Sequence, residues 1–456
     1  MTVSPSARDI YFDLFSGQRQ SGALDRAERF LSSQLAKADS LLSDLPDSPD
    51  DLEAWMQAGV EQVGQQYAEY LEARQAGGKR RYFRSHAHAL NFLKSVAPTK
   101  MVDGAWLYGL LPRWQDPRFT HLIRTYLEEL GEGLPAKNHV TLYKKLLQAQ
   151  GCEQWDDLSD DHYVQGALQL ALAYQADQFL PEVIGFNLGY EQLPLHLLIT
   201  AYELKELGID PYYFTLHITV DNADSGHAKK AVEAVFEAMP RVGDSQTFYR
   251  RVRSGYNLNL LGASTLSVIE SFDLEKEMMA VFARKASIGQ YVHSDYRLIA
   301  GRTVNDWLSD PAQIPAFVAA MEESGWFKRH QDPENSRFWK LIQSEKAKMF
   351  GVFSAYEQQV IHDWIVGDAA DRLAGDLKPV RPSRLPFDVK QRLREEMSGT
   401  ATRKDDDFDA EVRALEENLS TDREAVMATL IGLMSPTLHH TASGLAATRM
   451  FNEILD

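Results

Sequence analysis

Apolar residues recur at three- and four-residue spacing along nearly the whole chain, and strict apolar–polar alternation is scarce. That periodicity predicts an all-α protein. "ARDIYFDLFSG" and "ALDRAERFLSSQLAKADSLLSDL" read as amphipathic helices, and "PDSPDD" as the turn that caps a third helix running through Gln65 to Ala76. Residues 1–78 thus form an N-terminal helical extension. "RQAGGKRRYF" reads as a linker, after which long helices are punctuated by "APTK", "LPRWQDP", "GEGLPAKN", "GID" and "MPRVGD". We assign 79–265 to a helical bundle, 266–371 to further helices packed on it, and 372–456 to a flexible linker with C-terminal helices. The linker is read from "LKPVRPSRLP" and "MSGTATRKDDD".

Composition narrows the class. With 456 residues, 44% of them hydrophobic, the chain can bury one large core or two ordinary ones. A net charge of −17 repels nucleic acid and anionic membranes, so neither is an expected partner. The basic run Lys79, Arg80, Arg81 and Arg84, interleaved with Tyr82 and Phe83, is read as solvated linker for the same reason. The single cysteine, Cys152, excludes an intramolecular disulfide framework and suits a reducing compartment. The polar start "MTVSPSARDIYFDLFSGQ" lacks signal-peptide character, and no apolar run reaches membrane-spanning length. The expected location is cytoplasmic.

One stretch carries more polar chemistry than its apolar setting explains. In "YFTLHITVDNADSGHA", on a helical wheel, His217, Asp221 and Asp224 fall within about 60° of arc, with His227 about 80° from His217. Imidazole and carboxylate together form a ligand set for iron or manganese, and buried carboxylates without a cation are costly. The plain alternative is a helix end, with "DNADSG" a polar loop.

One helix cannot surround an ion, so partners are needed. Glu191 stands in an apolar segment three residues before Pro194, which removes a backbone donor and predicts a kink there. Glu182 lies about 180° away on the same wheel and is not expected to face the same centre. Upstream, Glu129 sits in the last turn of one helix and His139 in the first turn of the next, after the N-cap Asn138. The adjacent histidines His439 and His440 point about 100° apart and are not expected to share a metal. Glutamates, histidines and aspartates from several helices make the inventory of a carboxylate-bridged two-metal centre, but the chain lacks Glu-x-x-His, which disfavours a plain ferritin-like site.

The order Glu129, His139, then "YEQLP" with Glu191, then "YYFTLHITVD" with His217 and Asp221, resembles the heme-oxygenase-like diiron oxidases, often labelled iron-containing redox enzymes. The similarity covers about Ser95 to Ala234. It implies a heme-oxygenase-like helical bundle holding two non-heme Fe(II) ions, with Glu129, His139, Glu191, His217, Asp221 and His227 as metal ligands and catalytic centre. Where the family's late His-x-x-x-Asp-x-x-His motif would end, this chain has Asp224, and His227 follows three residues later. Either Asp224 takes the place of the imidazole or a distortion near Gly226 brings in His227, and we favour the latter. Asp103 is a further candidate carboxylate, read more simply as a helix-start residue. Tyr190, Tyr212 and Tyr213 are close in sequence to the candidate ligands and are read either as orienting them or lining the pocket or, the preferred role, as packing in the core.

The resemblance implies dioxygen as co-substrate and N-oxygenation, desaturation or oxidative carbon–carbon cleavage of a small amino-acid-like or fatty-acid-like metabolite. An external electron donor fits that chemistry, and a homodimer is left open. Two alternatives remain at this stage: a metal-free heme-oxygenase-like enzyme of thiaminase-like or quinone-cofactor-forming type, and a helical binding or scaffold protein. A porphyrin is disfavoured by the carboxylates around His217 and His227.

Overall fold

The architecture is described from a computed structural model for residues 5–16, 21–220, 226–289, 298–369, 410–420 and 422–455, side chains of 219, 220 and 418 excepted. Ser6 caps the first helix, Ala7–Phe15, by accepting from the Asp9 amide, and Ile10, Tyr11 and Leu14 form its buried stripe. Ala23–Ala38 buries Ala27, Phe30, Leu31, Gln34 and Ala38 at helical spacing. It stops short of the predicted Leu45, because the Ser40 hydroxyl takes the Lys37 carbonyl at 2.6 Å and so competes with helix continuation. Ser48 then caps the turn into Leu52–Gln75.

The chain is all-α as predicted: among the described residues, the strands are Leu298–Ile299 and Arg302–Thr303, an antiparallel pair with Leu298 opposite Thr303. Ala300 and Gly301 at φ 51° and 78° form the two-residue turn between them.

Two hydrophobic cores organise the helices. The first gathers the N-terminal helices, Thr120–Glu129, Val164–Tyr174, Leu180–Tyr190, His227–Ala238, Ser245–Asn257 and the C-terminal Arg423–Leu433 and Ala442–Leu455. The second gathers His86–Ser95, His139–Gln150, Leu195–Glu206 and Tyr212–Val220 with Leu274–Gly289, Ile314–Glu323 and Ala355–Val366. Consecutive segments alternate between the cores, so the connections between 102 and 227 run repeatedly across the seam.

The tightest crossing in the first core is set by glycine. A Cβ on Gly185 would stand 1.8 Å from the Val252 carbonyl oxygen, and one on Gly255 would stand 2.2 Å from that of Glu182. Leu180–Tyr190 and Ser245–Asn257 therefore touch backbone to backbone. Glu182 is paired with Arg251 at 2.6 Å on this crossing, away from Glu191, as the wheel predicted.

Two predicted features change. The linker reading of "RQAGGKRRYF" holds for the exposed Gly77–Lys79 but fails at Tyr82 and Phe83, which are buried. The reason is Glu203, fully buried, whose carboxylate accepts from the amides of Arg81, Tyr82 (3.0 Å) and Phe83 (2.8 Å) and from the Tyr70 hydroxyl (2.8 Å). The kink predicted at Pro194 is a full break. Leu180–Tyr190 ends with Glu191 at its C-cap, and Leu195–Glu206 begins after Pro194, whose ring leaves no room for the helix to continue.

Candidate metal centre

Each candidate side chain is delivered by the end of a helix or the turn beside one. Thr120–Glu129 ends on Glu129, and a 3-10 turn at Gly131–Gly133 reverses the chain. Asn138 then opens His139–Gln150 by accepting from the Thr141 amide at 2.9 Å, which puts His139 at the first helical position. Glu191 is the C-cap just described. His217 lies in Tyr212–Val220, and His227 is the first residue of the separate helix His227–Ala238, after Gly226 in an extended conformation. The expectation of one helix carrying both histidines is therefore corrected: His227 heads its own helix. Asp221 and Asp224 lie outside the described residues.

These helix ends converge. Asp103, Glu129, His139 and His217 bring ligand atoms within 4.8 Å of one another, and Glu129, Glu191 and His227 do the same, so Glu129 belongs to both groups. All six are buried. Its two oxygens divide the work: Oε2 lies 2.6 Å from His139 Nδ1, and Oε1 lies 3.6 Å from His227 Nδ1. The close approach of His139 Nδ1 lacks hydrogen-bond alignment. His227 Nδ1 is also 3.0 Å from Glu191 Oε2.

The reading of Asp103 as a helix-start residue is overturned. It caps nothing; the 3-10 helix Ala105–Arg113 begins after Gly104 with no side-chain cap. Its Oδ1 accepts from the Tyr190 hydroxyl at 2.9 Å, and its Oδ2 accepts from Tyr213 and lies 3.1 Å from His217 Nε2. Gly104 allows this: at φ 79°, a Cβ there would meet Glu129 Cβ at 2.8 Å, so the two carboxylate-bearing segments approach only because the residue between them has no side chain. Tyr190 and Tyr213 pack against the cores as expected and are also polar anchors of Asp103, the orienting role that the sequence left second. Tyr212 makes no such contact; its amide bonds Asp210.

Sequence reasoning also missed Glu128. Its Oε2 lies 2.5 Å from His227 Nε2, and Lys230 Nζ donates to both its oxygens at 2.7 and 2.8 Å. In sequence Glu128 and Glu129 look alike in "EELGEG", and nothing local shows that one faces His227 and the other the interior.

The hydrogen bonds fix which nitrogen of each ring faces inward. His217 Nδ1 donates to the Tyr213 carbonyl at 2.8 Å, and its Nε2 faces Asp103 Oδ2 at 3.1 Å. His227 meets a carboxylate at each ring nitrogen, Glu128 at Nε2 and Glu191 at Nδ1, with Glu129 3.6 Å from Nδ1.

Electrostatics show a centre that wants positive charge. Burial pushes the Asp103 carboxyl up, but Lys100 and the imidazoles of His139 and His217 outweigh it and hold it well below the ordinary value. Burial would lower His139, yet the adjacent Glu129 charge and Asp103 raise it to about 10. Glu128 is held down to about 2, its burial outweighed by His227 and Lys230.

An all-α protein with a buried carboxylate–imidazole cluster between two cores has the makings of a metalloprotein, and the comparisons place it further. A family model described as iron-containing redox enzyme matches residues 90–259, a little over a third of the chain. The matched span contains all six clustered residues, and the resemblance read from Glu129, His139, Glu191 and His217 is the same one. The comparisons with curated proteins and with solved structures gave no match. No helix among the described residues is long and apolar enough to cross a membrane.

Proposed function

We propose that the protein is an iron- and dioxygen-dependent oxidoreductase with two non-heme iron sites that share Glu129. The observation that carries the reading is the division of the Glu129 carboxylate, one oxygen toward His139 and the other toward His227. Asp103, Glu129, His139 and His217 would hold one ion, and Glu129, Glu191 and His227 the other. Asp221 is the further carboxylate that the family resemblance assigns. The donor set fits the group: mixed imidazole and carboxylate suits iron, and three carboxylates with so little access to water need a cation.

When bound, such a centre supplies the reduction of dioxygen at the expense of a substrate or an external electron donor. The chain's own contributions are positional and protonic. Tyr190 and Tyr213 hold Asp103 from one side and His217 meets it from another, which fixes the carboxylate plane. Burial, and next the Asp103 charge, raise both tyrosines well above their ordinary value, so each keeps its proton on oxygen and acts as donor. Glu128 would hold the His227 hydrogen on Nε2 and leave Nδ1 to the ion.

For the substrate we propose a small amino-acid-like or fatty-acid-like metabolite, oxidised by N-oxygenation, desaturation or carbon–carbon cleavage. Anaerobic Fe(II) titration followed by exposure to oxygen tests the reading. Wild type is expected to hold about two irons per chain, Glu129→Ala to lose affinity at both positions, and His217→Ala at one. A wild type that holds no iron would sink the proposal, and so would a Glu129→Ala variant that binds like wild type.

A further inference from the structure

The C-terminal helices lie beyond the span matched by the family model, yet they reach the turn that sets Glu129 against His139. Asn138, which is fully buried, is the junction. Its Oδ1 caps the His139 helix through Thr141, while its Nδ2 donates to the Leu130 carbonyl at 3.1 Å and meets His439 Nδ1 at 3.1 Å. Leu130 directly follows Glu129 and Asn138 directly precedes His139. One side-chain amide therefore ties together the two helix ends that carry these ligands, and one of its two hydrogens is held by a residue from the far end of the chain.

The neighbouring contacts point the same way. Arg449 donates to the Gly133 carbonyl at 2.7 Å, and the Tyr126 hydroxyl donates to the Met434 carbonyl at 2.6 Å. A Cβ on Gly133 would stand 2.4 Å from the Leu445 carbonyl oxygen, so the Gly131–Gly133 turn is pressed directly against Ala442–Leu455. His439 is buried, and burial, with His440 and Lys144 nearby, lowers its pKa well below the ordinary value. It is neutral, as an acceptor at Nδ1 must be. His440, which like His439 lies in the turn between Arg423–Leu433 and Ala442–Leu455 and not on a helix, points elsewhere, its Nε2 2.5 Å from Lys144 Nζ.

We infer that the C-terminal helices are a positioning element of the metal centre, with His439 acting through Asn138 to hold the spacing between Glu129 and His139. The inference rests on the two-metal reading. Interactions one layer removed from a metal typically change its affinity by about 10- to 100-fold. The side-chain oxygen of asparagine can take the place of Nδ1, whereas leucine removes the acceptor.

The experiment uses the full-length protein and Co(II), whose visible bands report ligand geometry without oxygen chemistry. His439→Leu is expected to weaken Co(II) binding by about tenfold or more and to alter the bands, with His439→Asn recovering most of the affinity. In the metal-free protein, His439→Leu is expected to speed hydrogen exchange at the Thr141 amide, which a general loss of stability would not single out. Should His439→Leu not fold, Arg449→Met, which removes the bond to the Gly133 carbonyl, is expected to weaken Co(II) binding in the same direction. Wild-type affinity and bands in the folded variant, with Co(II) bound by wild type, would overturn this inference alone. Failure of wild type to bind either Co(II) or Fe(II) would overturn the two-metal reading and this inference with it.

Discussion

At the scale of single residues, the molecule keeps its buried polar groups by matching each to a specific partner. His88 shows how such a match becomes a dependence on pH. Its Nε2 donates to the Ile269 carbonyl at 2.8 Å, its Nδ1 accepts from the Arg84 amide at 3.3 Å, and Phe272 stacks on the ring at 4.7 Å. Burial lowers its pKa to about 4, against its ordinary 6.5. Between those values the unfolded chain binds a proton that the folded one does not. The contribution of neutral His88 is therefore complete above pH 6.5 and is lost as pH falls toward 4, amounting to about 3 kcal/mol at most. His88→Gln, which can keep the bond to Ile269, is expected to flatten the acid limb of the stability curve by close to one proton. Urea denaturation at several pH values checks this, and an unchanged limb would count against it.

The same scale shows where residue reading succeeded and where it stopped. Glu129, His139, Glu191 and His217 were legible because each stands at a helix end or in an apolar helix, where a polar side chain needs a reason. Asp103 was misjudged because its reason lies in Tyr190 and Tyr213, 87 and 110 residues away. Glu128 was invisible because its partner His227 is 99 residues distant. Buried hydrogen bonds of this range leave no local periodicity to read.

At the scale of elements, helix existence was legible in the sequence and continuity was not. Apolar spacing gave the helices, but Pro194 broke one instead of bending it, and the segment bearing His217 and His227 proved to be two helices. Glycines set how closely two of the helices approach. Gly185→Ala would force the backbones of Leu180–Tyr190 and Ser245–Asn257 apart, with an expected cost of about 1–3 kcal/mol. Gly59→Ala is the control: it sits in a helix with nothing within 4 Å of a new Cβ, and the gain in helix propensity is expected to stabilise by up to about 1 kcal/mol. Denaturation midpoints that move in opposite directions would support the packing account, and equal shifts would refute it.

At the scale of the whole molecule, the clustered residues belong to neither core alone. Asp103, Glu129 and His227 stand among first-core elements, His139 and His217 among second-core elements, and Glu191 in the turn between them. A shared carboxylate at such a seam joins the two halves, and the C-terminal helices close the turn behind it. The central claim is that two ions flank Glu129. Iron anomalous scattering from crystals loaded with Fe(II) under anaerobic conditions tests it most directly. We predict two peaks, one among Asp103, Glu129, His139 and His217 and the other among Glu129, Glu191 and His227. A single peak, or iron bound away from Glu129, would contradict the account.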